Sequence, residues 1–205
     1  MLSNKGFDLW ADDYDKSVDI YDNNQSYPFA GYKMILNEIY NRILMNSYKS
    51  ILDIGFGTAT LISKLYNSGY EIYGQDFSKR MIEIAQEKMP NANLFNGDIS
   101  NGLVDELLLH KYDVIIATYS LHHLTDLKKV IFFKSLIKRL NEGGVIYIGD
   151  VAFNSRNEHD KCMKEVGDEW DKDEFYFVID EFSHYFPEIK FEKFSNCSGL
   201  ITLKK

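Results

Sequence analysis

The sequence predicts an α/β fold built on a seven-stranded, mostly parallel sheet with helices on both faces, and three observations carry that expectation. Short β-branched runs alternate with amphipathic segments from Ser50 onward, a glycine pair follows the first run directly, and two short runs close the chain as an antiparallel hairpin. In order, strands are expected at Ser50–Ile54, Glu71–Gln75, Asn93–Asn96, Tyr112–Ala117 and Val145–Gly149, with helices at Thr58–Asn67, Ser78–Met89 and Leu127–Leu140. In the last of these helices Leu127, Val130, Ile131, Lys134, Ile137 and Lys138 separate into apolar and charged faces. Asp126 can cap its start and Gly143 lies just past its end. Asn154 to Asp173 reads as a polar, mostly solvated helical stretch, and Ile189–Phe194 with Gly199–Leu203 as the hairpin.

At 205 residues, 45% hydrophobic and 26% charged, the chain has the apolar mass for one sizeable core. Only Pro28, Pro90 and Pro187 are prolines and no repeat or low-complexity tract occurs, so residues 1–205 read as one domain. Within it, residues 1–49 form an N-terminal helical cap and 50–205 the core. The 23 Lys and Arg against 31 Asp and Glu leave a formal charge of -8, which disfavours nucleic acid as a partner. Cys162 and Cys197 have no metal-ligand spacing, and the start MLSNKGFDLWADDYD turns acidic where a signal peptide needs an apolar run. A cytoplasmic, soluble protein is expected. No apolar stretch approaches the roughly 20 residues that span a bilayer, so no membrane association is expected.

The segment ILDIGFGTAT sets Asp53, Gly55 and Gly57 between the first strand and the next helix. Glycines remove the Cβ atoms that block close approach, and free amides at a helix start favour an anionic group. A structural turn alone would also use them. The G-x-G-x-x-G dinucleotide fingerprint is not completed, because Thr60 stands at its sixth position; that counts against a nicotinamide or flavin site.

Asp53, Gly55, Gly57 and Ala59 resemble the first motif of class I S-adenosylmethionine-dependent methyltransferases of the small-molecule type, with alanine in place of the usual last glycine. The resemblance implies a Rossmann-like core and S-adenosylmethionine as cofactor, with S-adenosylhomocysteine as product. Asp76, 21 positions after Gly55, stands where the family's acid grips the ribose hydroxyls, beside Phe77, and also where it can assist the helix starting at Ser78. Asp98 and Ile99 in NGDIS match the positions that meet the adenine. An N-terminal segment like FDLWADDYDKSV folds over the cofactor in similar enzymes, with Tyr14 near the methionine part, and aromatic faces suit a sulfonium. Ordinary packing of that helix is the alternative. SYPFAGY is similar to a segment of bacterial methyltransferases associated with sulfur amino-acid recycling.

Ligands of open α/β sheets bind beyond the carboxyl ends of the strands, which puts TYSLHHL beside the donor methyl. Thr118 is assigned to the cofactor side, Tyr119, Tyr27 and His123 to substrate contact, and His122 or His123 to proton removal; pocket wall is the alternative for both histidines. Asp150, after the fifth strand, also faces this region. Glu158, His159, Asp160 and Cys162 hold the residue types of a metal site, but their spacing fits no zinc motif, and no metal is expected. The expected activity is methyl transfer to a small-molecule acceptor. A non-catalytic adenosyl-ligand binding module is the second reading and a nicotinamide-dependent oxidoreductase the third. Neither acceptor atom, pathway nor oligomeric state is encoded legibly.

Overall fold

The computed structural model describes residues 14–205, apart from the side chains of Tyr14, Asp15 and Ser17. Trp10 and the Tyr14 ring, assigned above to the cap, lie outside the described residues. Two helices, α1 (Tyr14–Asn23) and α2 (Tyr32–Leu44), precede an alternating run. It comprises β1 (Ser50–Ile54), α3 (Ile62–Asn67), β2 (Glu71–Asp76), α4 (Lys79–Lys88), β3 (Asn93–Asn96), α5 (Asp105–Leu108), β4 (Tyr112–Thr118), α6 (Asp126–Lys138) and β5 (Leu140–Phe153). The chain ends with α7 (Arg156–Val166), β6 (Phe177–Val178), α8 (Ile179–Ser183), β7 (Lys190–Lys193) and β8 (Ser198–Lys204).

The sheet order is β3-β2-β1-β4-β5-β8-β7. Pairing is parallel from β3 to β5, while β8 runs antiparallel to both β5 and β7. The seven expected strands are present, and β6 adds an eighth, two-residue strand beside the end of β5. Burial on both faces makes the central strands continuously apolar, as parallel sheets require. Ile51, Val114 and Ile116 face one core layer with Ile35, Ile39 and Ile43 of α2 and Ile62 and Leu65 of α3. Leu52, Ile115 and Ala117 face the other, under Phe132, Phe133 and Leu136 of α6.

Helix α2 belongs to the core. Ile35, Leu36, Ile39 and Ile43 are buried at helical spacing, and each such side chain contributes about 1.5–3 kcal/mol of burial. Any lid that opens must therefore lie before Tyr32.

Three elements differ from the sequence reading by more than two residues at an end. Helix α3 starts at Ile62, not Thr58, because Gly57 and Ala59 both take left-handed backbone angles (φ 53° and 62°) that no α-helix continues. For Ala59 that conformation costs about 1–2 kcal/mol, so its replacement of glycine is less innocent than its small size suggests. Strand β5 extends from Leu140 to Phe153, held on its two sides by β4 and β8. In the polar stretch only Arg156–Val166 is α-helical, and Cys162 and Trp170 are buried.

Helix α6 departs most. Thr125 holds the N-cap position without a side-chain bond, and Asp126 sits in the first turn, 3.1 Å from Lys129. Leu127 and Ile131 are exposed, whereas Lys129, Val130, Phe132, Phe133 and Leu136 are buried. The two phenylalanines set the phase because they bury the largest apolar areas. Lys129 follows them inside because its ammonium meets Asp126, the Phe175 carbonyl and the Phe177 ring face at 4.4 Å. Phe133, flanked by Phe177, Phe182 and Phe186, is accordingly expected to cost about 3–5 kcal/mol when replaced by alanine, and Ile131→Ala less than about 0.5 kcal/mol. Urea denaturation of the two variants checks the assignment of faces.

Candidate active site

At the carboxyl end of β1 the backbone turns through Gly55 and Gly57, both in the left-handed region. The Gly55 amide donates to the Gln75 carbonyl at 2.8 Å, tying the turn to β2. A Cβ at Gly55 would meet the Ser120 side chain at 2.4 Å, while at Gly57 none would meet any atom within 4 Å. The first glycine lets two loops touch and the second leaves open space for a ligand. Lys88 braces the loop by donating to the Thr58 carbonyl at 2.6 Å.

Three acids sit at this end of the sheet where the sequence placed them. Asp53 is buried, and its Oδ1 has no hydrogen-bond partner among the described residues. Burial first, and the Asp76 charge second, push its carboxyl up to about 8. Asp76 ends β2, its Oδ2 accepting from the Gly57 amide at 2.9 Å and its Oδ1 from the Ser78 amide at 2.8 Å. It thus bridges the glycine loop and the start of α4, while the Ser78 hydroxyl caps that helix by accepting from Met81. Phe77 is half-buried, and its carbonyl accepts from Asn96. Asp98 caps a short turn by accepting from Ser100 at 2.8 Å, and Ile99 follows it, half-buried. Asp53, Gly55, Gly57 and Thr118 line one cleft of about 320 Å³, its open mouth included; Asp76, Phe77, Asp98 and Ile99 are outside its lining. Tyr32, Leu36, Phe56 and Leu61 also line it. Of these, only Tyr32 carried a sequence signal, as the end of the SYPFAGY segment.

Of residues 118–123, which end β4 and form the turn after it, only Thr118 lines that cleft. Tyr119 has φ 50° and is buried, its ring 5.2 Å from those of Phe29 and Tyr32. Ser120 donates to the Ile54 carbonyl at 2.7 Å, which fixes the turn against β1. His122 is buried, with Nδ1 2.7 Å from Oδ1 of the fully buried Asp150. A carboxylate only accepts, so Nδ1 carries a hydrogen and Nε2 is left facing Glu174 Oε1 at 3.4 Å. Burial opposes charge on the His122 ring, but Asp150 and Glu174 outweigh it and raise its pKa. His123, its ring centroid 4.3 Å away, is driven down to about 4 by burial and then by its neighbour. Glu174 is raised, mainly by burial, and its Oε2 accepts from Tyr176 at 2.6 Å. Tyr27 joins this cluster through a short hydroxyl contact to Tyr176 and a stacked Trp170 ring at 5.2 Å.

Residues 51–144 match the methyltransferase domain family. An uncharacterised methyltransferase of Bacillus mycoides is 34% identical over 159 residues, spanning 77% of this chain and 71% of that protein, and one from Bacillus anthracis matches equally. The chain belongs to this methyltransferase family. Its fold is shared by an S-adenosylmethionine-dependent methyltransferase from Clostridium acetobutylicum, with TM-score 0.70 and 18% identity over 93% of this chain and 98% of that one. Magnesium protoporphyrin IX methyltransferase from Synechocystis, solved with bound S-adenosylhomocysteine, aligns with TM-score 0.66 and 15% identity over 86% and 84% of the chains.

In this methyltransferase the cluster Glu158 to Cys162 is dispersed: Glu158 pairs with Lys193 at 2.8 Å, His159 with Asp160 at 2.8 Å, and Cys162 is buried. Beside the histidine turn, Glu174 is the carboxylate that sequence reasoning missed, as it missed Leu36, Phe56 and Leu61 among the cleft residues. No helix among the described residues is long and apolar enough to cross a membrane.

Asp53 makes stability depend on pH. Its folded pKa lies above the unfolded value, so between about pH 4 and 8 the unfolded chain sheds a proton that the folded chain keeps. Stability is therefore expected to fall as pH rises through that window, by at most about 1.4 kcal/mol per unit from this group. Asp53→Asn should flatten the dependence, becoming relatively more stable toward pH 8; urea midpoints across the range measure it.

Proposed function

We propose that this methyltransferase moves a methyl group from S-adenosylmethionine to a small-molecule acceptor and releases S-adenosylhomocysteine. The observation that carries the reading is the buried Asp53 oxygen without a partner, beside a glycine loop open at Gly57 and bridged by the Asp76 carboxylate. An unpartnered carboxylate oxygen in a ligand cleft suits a cationic ligand, and this donor carries both an ammonium and a sulfonium. When bound, it supplies an electrophilic methyl carbon.

Asp53, Gly55, Gly57 and Thr118 would hold the methionine end. Asp76 and Phe77 would hold the ribose, and Asp98 and Ile99 the adenine. On the acceptor side, Asp150 keeps the His122 tautomer fixed so that Nε2 can accept the acceptor's proton, as carboxylate-oriented imidazoles do. His123, held neutral, forms the adjoining wall with Tyr119 and Tyr27. Alignment of acceptor and donor in a water-poor site supplies the rest of the rate.

An untargeted metabolite mixture incubated with isotopically labelled donor, read by mass spectrometry, tests the reaction; a labelled small molecule is expected and its consistent absence would refute transfer. Asp76→Asn should weaken S-adenosylhomocysteine binding roughly ten- to a hundredfold through lost charge-assisted hydrogen bonds. His122→Ala should keep that affinity yet slow turnover about a hundredfold or more. Donor binding near pH 7 should release a proton from Asp53, seen as calorimetric heats that change with buffer ionisation enthalpy in the parent and not in Asp53→Asn.

A further inference from the structure

The turn after β4 brings together three ligating groups that the glycine-loop site does not use. We propose that His122, His123 and Glu174 form a binding site for one divalent d-block cation of the zinc type, with Asp150 as its outer partner. His122 Nε2 lies 3.4 Å from Glu174 Oε1, and His123 Nδ1 lies 4.0 Å from the same oxygen. All three donor atoms fall within 4.8 Å of one another. Zinc with N and O ligands near 2.0–2.1 Å sets tetrahedral neighbours about 3.3 Å apart. The His122–Glu174 edge already has that length, and the His123–Glu174 edge at 4.0 Å is longer, so the His123 ring must move closer to serve as the third ligand. Two nitrogens and one carboxylate oxygen are a zinc donor set that keeps a fourth position open.

The surroundings have the features that metal histidines share. His122 gives its other ring nitrogen to buried Asp150 at 2.7 Å, the carboxylate–histidine arrangement that orients a ligating imidazole. Asp150 is itself fixed by the Val151 amide at 2.8 Å, and Glu174 by the Tyr176 hydroxyl. Two carboxylates, Asp150 and Glu174, balance a doubly charged cation held through imidazole lone pairs. Among the described residues, the Lys129 ammonium nearby is already engaged by Asp126 and the Phe175 carbonyl. The backbone is set as well: the Phe175 amide donates to the His122 carbonyl at 2.8 Å, clamping the Glu174 segment onto the histidine turn. No spacing in the sequence announces such a site, because its ligands come from two distant segments.

A cation here would occupy the Nε2 lone pair assigned above to proton removal, so bound metal and proton transfer would exclude one another; that consequence, though not the binding, rests on the proposed function. The experiment uses the full chain stripped of metal and without donor. Zn²⁺ is titrated by calorimetry, and Co²⁺ by visible absorption. One equivalent is expected, with cobalt bands of low coordination number. His122→Ala, His123→Ala and Glu174→Gln should each weaken binding at least about tenfold, and Asp150→Asn about ten- to a hundredfold. His110→Ala and His184→Ala, at exposed positions, should change nothing. No binding at roughly millimolar zinc, or one-equivalent binding unaltered in a folded His122→Ala/His123→Ala variant, would overturn the site. Glu174→Gln keeps the size and neighbours of the side chain, so it reads the metal even if a histidine variant unfolds. S-adenosylhomocysteine affinity in the same preparation separates failure of this site from failure of the methyl-transfer reading.

Discussion

Strand β1 runs parallel to β2 on one side and to β4 on the other, and that position constrains everything built on the sheet. The chain leaves β1 toward β2 and β3 and later returns to lay β4 on its opposite edge, so the crevice between the two excursions opens at the carboxyl end of β1. Asp53 and the glycine turn occupy that crevice because they continue β1. Asp76, Thr118 and Asp150 reach the same end because their strands share its direction. Parallel pairing thus gathers side chains from four strands without any local sequence signal joining them.

The gathered groups are mostly acidic. Asp53, Asp76 and Asp150 are all buried, and each resolves its charge differently: the first through protonation, the second through backbone amides, the third through an imidazole. Buried carboxylates held this way make the end of the sheet a place where cationic ligands replace lost hydration.

Local chemistry made much of this legible. The β1, β2 and β3 runs, the glycine pair and the acids at 53, 76 and 98 are set by turn geometry and strand length, which neighbouring residues decide. In helix α6 the expected apolar stripe holds at Val130 and Ile137 but not at Leu127 and Ile131, which fit a stripe as well as Phe132 and Phe133 do until the partner layer chooses between them. Lys129 went unseen inside because its partners, Phe175 and Phe177, arrive from a later segment. Glu174 was hidden for the same reason: a carboxylate in a polar stretch gains meaning only when that stretch is clamped under His122. The start of α3 was misjudged because a positive φ at alanine is not announced by its side chain.

The contact between Gly55 and Ser120 has a consequence for how this chain can vary over time. The two positions share one small volume, with a Cβ at 55 falling 2.4 Å from the serine side chain. Substitutions there are not independent: a side chain at 55 meets both a left-handed backbone and the Ser120 side chain, and shrinking 120 to glycine relieves only the second while losing the Ser120 bond to the Ile54 carbonyl. Changing 55 first makes the two loops clash, whereas shrinking 120 first removes the bond that fixes the histidine turn against β1, so each route of change costs something at this contact.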